Sequence, residues 1–353
     1  MMMFRGSSNI IYLKFVCYLF FNFIMQCGFF AAAVTAEIID FKSDLPILCV
    51  PNSTCWVVNY VDNDFGPNVA DYQCGGLSYN GHKGTDFAIR TLKEMRNGIP
   101  VLSVSKGIVR AVRDGMPDSG IIGGSSANIK GKECGNGVVI EHAGGWVTQY
   151  CHLRKGSVRV KKGQYITSGH KIGLVGLSGK TEFPHVHFAI RHNGIVVDPF
   201  IGLNEGSRCQ LGKKHIWSEA AINKLKYNPP YIYLTGFHSS KPEVKLARQG
   251  IYEKVSVSRQ APAIVFWADI FGIKQGDIIT MHLIGPLGRK LAVKKKVIKA
   301  SKARYFTFLG KKRNNSLWPS GSYEGEIIIE SASLEGQAVV SRIERTLNIK
   351  QIF

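Results

Sequence analysis

The segment Pro184-His185-Val186-His187-Phe188 constrains this chain more than any other. It lies in an apolar run with a period of two, which favours a strand, and side chains two apart on a strand share a face. Both imidazoles therefore project to one side. About a hundred residues earlier, His82-Lys83-Gly84-Thr85-Asp86 offers another imidazole and a carboxylate. Two histidines and an aspartate converging on one zinc ion leave a coordination position for water, as in catalytic rather than closed structural sites. Between the two segments, Tyr150-Cys151-His152-Leu153 supplies a further histidine in a strand-like run, available as a catalytic group that does not bind metal.

Taken singly these motifs are weak, because 10 histidines and 25 acidic residues produce such spacings by chance. Their conjunction carries more. His82 to Asp86, Tyr150 to Leu153, the glycine-rich Gly173-Leu174-Val175-Gly176-Leu177-Ser178-Gly179, Pro184 to Phe188 and Val197-Asp198-Pro199 follow one another in a familiar order. Over about residues 75–200 the chain resembles the lysostaphin-type (LytM-like) zinc endopeptidases, which cut the peptide part of bacterial peptidoglycan. The resemblance does not extend to the last third of the chain.

The resemblance implies that His82, Asp86 and His187 hold one Zn2+ per chain. It implies that His152 and His185 are non-ligand histidines serving the reacting water and the developing oxyanion. It implies a mainly β fold, an antiparallel β catalytic domain with an open groove of the duplicated-hybrid-motif kind. Many relatives carry Glu directly after His-x-His-Phe, where this chain has Ala189; that position is not a ligand, so its loss bears on the tuning of the site. Gly179-Lys180-Thr181 is not a phosphate loop, since Leu174 stands where the first glycine is required.

Residues 10–34 are mostly apolar, preceded by Arg5, broken by Lys14 and followed by Ala36 after a run of small residues. They read as a secretory signal cleaved near Ala36, with an uncleaved anchor facing the periplasm as the alternative. Cleavage leaves no stable membrane span, and the protein is then periplasmic or secreted. Gln26 before Cys27 argues against lipidation. Beyond the leader stand Cys49, Cys55, Cys74, Cys134, Cys151 and Cys209, an even number that suits disulfides in an oxidising compartment. Cys49 and Cys55 are the expected pair, and Cys151, mid-strand, fits a buried free thiol best.

Residues 37–75 read as an irregular, cysteine-bearing lead-in, 76–212 as the zinc endopeptidase domain and 213–228 as a linker with a short helix. Seven alternating segments in 229–353 suit an accessory β-sandwich. The Gly/Ser-rich stretch from Asp114 to Cys134 is either a wall of the groove or an inert loop. His282 reads as a packed or surface histidine. The formal net charge is +20, and Pro286 to Asn315 holds 11 Lys or Arg and no acid. With a secretory leader, an anionic envelope polymer is the expected partner in place of nucleic acid; an ordinary solvated face is the other reading.

The reading that follows is a zinc endopeptidase cleaving peptidoglycan cross-links, at D-alanine–diaminopimelate or at a glycine bridge. The alternative is a catalytically silent LytM-like regulator that binds a cell-wall amidase or the wall. An adhesion protein with a vestigial metal site is a third.

Overall fold

The structure, a computed structural model, describes residues 41–120, 129–203, 209–227, 229–254, 256–332 and 338–350. The leader with its cleavage site, and residues 121–128 of the Gly/Ser-rich stretch, lie outside the described residues. Among those described, no helix is long and apolar enough to cross a membrane.

The alternating segments of the first half form β1 (Cys55–Asn59), β2 (Thr85–Ile89), β3 (Pro100–Leu102), β4 (Gly107–Arg113) and β5 (Asn136–Glu141). They continue as β6 (Trp146–Leu153), β7 (Tyr165–Ile166), β8 (Lys171–Leu174), β9 (His185–His192) and β10 (Ile195–Val197). One antiparallel sheet runs β1-β2-β9-β6-β5-β4-β7, with β10 also paired to β9, and β3 pairs with β8 separately. The lead-in is thus not wholly irregular: it contributes the edge strand β1, whose Cys-Trp-Val-Val run is buried. Nothing local in residues 37–75 announces this, because the pairing to β2 is a tertiary contact.

Register fixes the site. Asp86 stands opposite both His187 and Asn59, and Ala88 opposite both His185 and Trp56. Residues paired across a ladder share a face, so these side chains project to the same side of the sheet. On β6 the register slips between the Asn136–Leu153 and Val138–Tyr150 pairs. His152 sits in that bulge with φ 61°, a left-handed conformation that a non-glycine residue adopts only when its surroundings enforce it.

The disulfides are Cys49–Cys55, Cys74–Cys209 and Cys134–Cys151. The first is the expected pair. The expectation of a free thiol at Cys151 is corrected: the bulge brings it within 4.8 Å (Cα–Cα) of Cys134, which precedes β5. Strand periodicity alone cannot show a bulge.

The second half forms β11 (Tyr231–His238), β12 (Ala263–Ile273), β13 (Ile278–Ile284), β14 (Lys290–Val297), β15 (Lys302–Lys312), β16 (Gly321–Ala332) and β17 (Ala338–Ile349). Two antiparallel sheets, β11-β12-β15 and β14-β13-β16-β17, enclose a core of Ile264, Phe266, Ile270, Met281, Leu283 and Ile327 among others. β12 is apolar except for Asp269 and is buried on both faces, because its other face packs away from this core. Phe271, with Tyr231 and Tyr233 of β11, joins the core of the first sheet instead. Helix α1 (Leu92–Asn97) is capped by Thr91. Lys93 just inside it pairs with Glu253, 2.6 Å away, just after helix α3 (Val244–Gln249). The 213–228 stretch carries the short helix α2 (Glu219–Ile222) and fully buries Trp217 against Phe87, Phe188 and Phe200.

Candidate metal centre

Three donor atoms meet over the shared face. His82 Nε2 lies 3.2 Å from Asp86 Oδ1 and 3.1 Å from His187 Nδ1, and His187 Nδ1 lies 2.8 Å from Asp86 Oδ1. Among the described residues this is the one group of three such side chains close enough to share an ion. Bonds of about 2.0–2.1 Å in a tetrahedron put neighbouring donors about 3.3 Å apart, so the spacing suits zinc.

Backbone and side-chain contacts orient each donor. His82 Nδ1 bonds the Tyr60 carbonyl at 2.6 Å, as its N–H must, which leaves Nε2 bare and pointing inward. Asn59 Nδ2 donates to Asp86 Oδ2 at 2.9 Å, leaving Oδ1 for the cluster. Gly84 makes room for His187, since a Cβ there would lie 2.6 Å from His187 Cε1. His82 and Asp86 are buried. Burial pushes the Asp86 carboxyl up, but the charges of His82 and His185 and hydrogen bonds from His187 and His82 outweigh it, holding the group well below the usual carboxylate range. Burial pulls His82 down, and the Asp86 carboxylate more than reverses this. Acceptors this close, with so little solvent, call for positive charge between them.

Two further histidines border the cluster. His185 Nδ1 bonds the Phe183 carbonyl at 2.9 Å and lies 3.1 Å from Thr181 Oγ1; its Nε2 faces Asp86 Oδ1 at 3.5 Å. His152 Nδ1 bonds the Ser178 carbonyl at 2.8 Å, and its ring centroid is 4.7 Å from that of His185. Both rings are buried, and burial lowers both pKa values, that of His152 strongly, with His185 and His187 adding to its shift. The lowered values favour the neutral form of each ring, in which Nε2 can accept a proton. The bulge at Cys151–His152 turns the ring inward, and His152 N–H is held by the Cys134 carbonyl at 2.8 Å.

All five residues singled out from the sequence come together here. His282 does not: it lies on β13, 2.6 Å from Glu326. The orienting residues Asn59, Tyr60, Thr181 and Phe183 carried no sequence signal. Ser178 and Gly84 lay inside quoted motifs, but their roles depend on neighbours distant in the chain. The stem of the Gly/Ser-rich stretch is tied beside the site, with Asp118 accepting from the amides of Lys155 and Leu177.

Known proteins resemble the stretch that holds this site. The peptidoglycan DD-endopeptidase ShyB of Vibrio cholerae is 38% identical over 109 residues, covering 31% of this chain and 20% of its own length. The peptidoglycan DD-endopeptidase ShyA of the same organism is 35% identical over 109 residues with the same coverage. The chain thus spans about a fifth of the length of these curated relatives. Among solved structures, the catalytic domain of lysostaphin from Staphylococcus simulans shares 26% identity over 40% of this chain and 85% of its own, with a TM-score of 0.26. The model of Peptidase family M23 matches residues 80–199, a stretch that encloses His82, Asp86, His152, His185 and His187 and is similar to that family.

Proposed function

We propose that this protein is a zinc-dependent endopeptidase that opens peptide cross-links of bacterial peptidoglycan. The observation that carries the reading is the convergence of His82 Nε2, Asp86 Oδ1 and His187 Nδ1 within 3.2 Å of one another, with the buried imidazoles of His152 and His185 beside them. A zinc ion held by those three donors would acidify a water to a pKa of about 7 and polarise the scissile carbonyl. The remaining steps belong to the chain. His185 and His152, each anchored through Nδ1, offer Nε2 to take a proton from the attacking water and pass it to the leaving amine. As either ring gains that proton, the buried Asp86 carboxylate close by stabilises its charge.

Relatives named DD-endopeptidases support a D-alanine–diaminopimelate cross-link over a glycine bridge as the bond cleaved. Disulfides, together with the apolar leader, support a periplasmic or secreted location. The basic strands remain a proposed contact to anionic envelope polymer, with one refinement. Lys294 and Lys296 share a face but are already engaged, Lys294 with Thr307 and Phe308 and Lys296 with Tyr305. Polymer contact therefore falls to the outer cations, among them Lys295, Lys299, Lys311 and Lys312, which are exposed. The test of bond choice is digestion of defined cross-linked muropeptides followed by mass spectrometry. Dimers joined through diaminopimelate should fall to monomers, whereas cleavage of glycine-bridged dimers alone would refute the assignment.

A further inference from the structure

The sandwich is packed against the active face beside His185. Asp269, fully buried on β12, is bonded by Arg248 through Nε at 2.6 Å and the terminal nitrogen at 3.1 Å. Tyr233 also bonds it, and Arg304 of β15 lies 3.5 Å from the same carboxylate and bonds Tyr233. The Arg304 side chain is 12% exposed, and its Nε is buried with no hydrogen-bond partner. Its guanidinium lies over three rings, 5.2 Å from Phe271, 5.6 Å from Tyr233 and 5.3 Å from Phe183. Phe271 and Tyr233 come from the sandwich; Phe183 comes from the catalytic segment. The Phe183 ring centroid is 4.8 Å from that of His185, and the Phe183 carbonyl bonds His185 Nδ1. A second contact supports the same face: Tyr233 meets Trp56 edge-on at 6.0 Å, and Trp56 stands on the ladder rung shared by Ala88 and His185.

We infer that Arg304 is a positioning residue for the reaction: held by Asp269, it fixes Phe183 from the sandwich side, and Phe183 fixes the His185 imidazole. The accessory domain thereby becomes part of the active-site framework, in addition to its proposed contact with envelope polymer. A planar guanidinium packs flat on aromatic rings as an ammonium does not, so Arg suits this task and Lys does not. This inference rests on the proposed endopeptidase function for the meaning of turnover, but not for the contact itself.

The test uses the full chain carrying Arg304→Ala, Arg304→Lys or Phe183→Leu. Arg248 still holds Asp269 in both Arg304 variants, so no buried carboxylate is stranded. Zinc content and KM should stay within about twofold of the parent, while kcat falls by on the order of 10- to 100-fold, the cost of misplacing a reacting group. The side-chain resonances of His185, identified by comparison with His185→Gln, should move in each variant. Adding Arg304→Ala to Phe183→Leu should cost little more, because both break one chain of contacts. Parent-like kcat with unmoved His185 resonances would overturn the inference. So would full recovery of kcat by Lys, which would reduce Arg304 to a counter-charge for Asp269. Should the Ala variant fail to fold, the Lys variant decides by the same readings. If the parent chain hydrolyses nothing, the function proposal fails while the His185 resonances still decide this one.

Discussion

Buried polar groups are treated in opposite ways in the two halves of this molecule. In the sandwich, Asp269 is fully buried and receives hydrogen bonds from Arg248 and Tyr233 with Arg304 near, so its charge is answered within the protein. In the first sheet, His82, Asp86, His152 and His185 are all buried. There the outer nitrogen of each histidine is tied to a carbonyl, while the inner atoms face one another across short distances. A satisfied buried charge contributes to a framework; a set of inward-facing acceptors is prepared for something added. Under the proposed function, the difference separates the half that would perform chemistry from the half that would support it.

The sharpest way to break that contrast is to remove a donor. Replacing His82, Asp86 or His187 with Ala should abolish zinc binding and wall hydrolysis together, since three ligands leave no spare; full zinc occupancy in any of these variants, by elemental analysis, removes that residue from the set. Next in size come His152→Ala and His185→Ala. Zinc should remain while turnover falls by about 10²–10⁴-fold, the usual worth of a proton-transfer group, and muropeptide release near the parental rate would overturn the assignment. A smaller effect is expected at Gly84→Ala, where the new Cβ must push the His187 ring. Disturbing a ligand's support typically weakens metal binding about 10- to 100-fold, so competition with a chelator should show weaker zinc retention, and unchanged retention would mean the ring has room to move. The smallest effect belongs to the sandwich surface. Neutralising Lys295, Lys299, Lys311 and Lys312 together should reduce sedimentation with purified sacculi at low salt and leave muropeptide cleavage intact. Surface charges are screened beyond about 10 Å at 0.1 M salt, so binding that ignored salt would contradict an electrostatic contact.

Much of this was legible in the sequence, and the part that was not has a common cause. The strands were readable because period-two patterning is local, and His185 and His187 share a face by the same rule. The seven segments of the sandwich appear as seven strands for that reason. What escaped depends on contacts between residues far apart in the chain. β1 is visible only once β2 lies beside it, and Asn59 and Tyr60 orient the site from that strand and its end. The bulge that turns His152 inward also brings Cys151 to Cys134, so the misread thiol and the left-handed histidine are one event. Arg304 was counted among surface cations because charge density along a chain does not reveal which arginine is drawn into an aromatic box.

The central claim is that three inward-facing donors hold a zinc ion that drives wall cleavage, and one measurement addresses it directly. Purified protein is analysed for metal and assayed for muropeptide release from sacculi as prepared, after chelation, and after zinc is returned. The account predicts about one zinc per chain, release abolished by the chelator and restored by zinc. Release that survives complete metal removal, or a fully zinc-loaded chain that releases nothing, would contradict it.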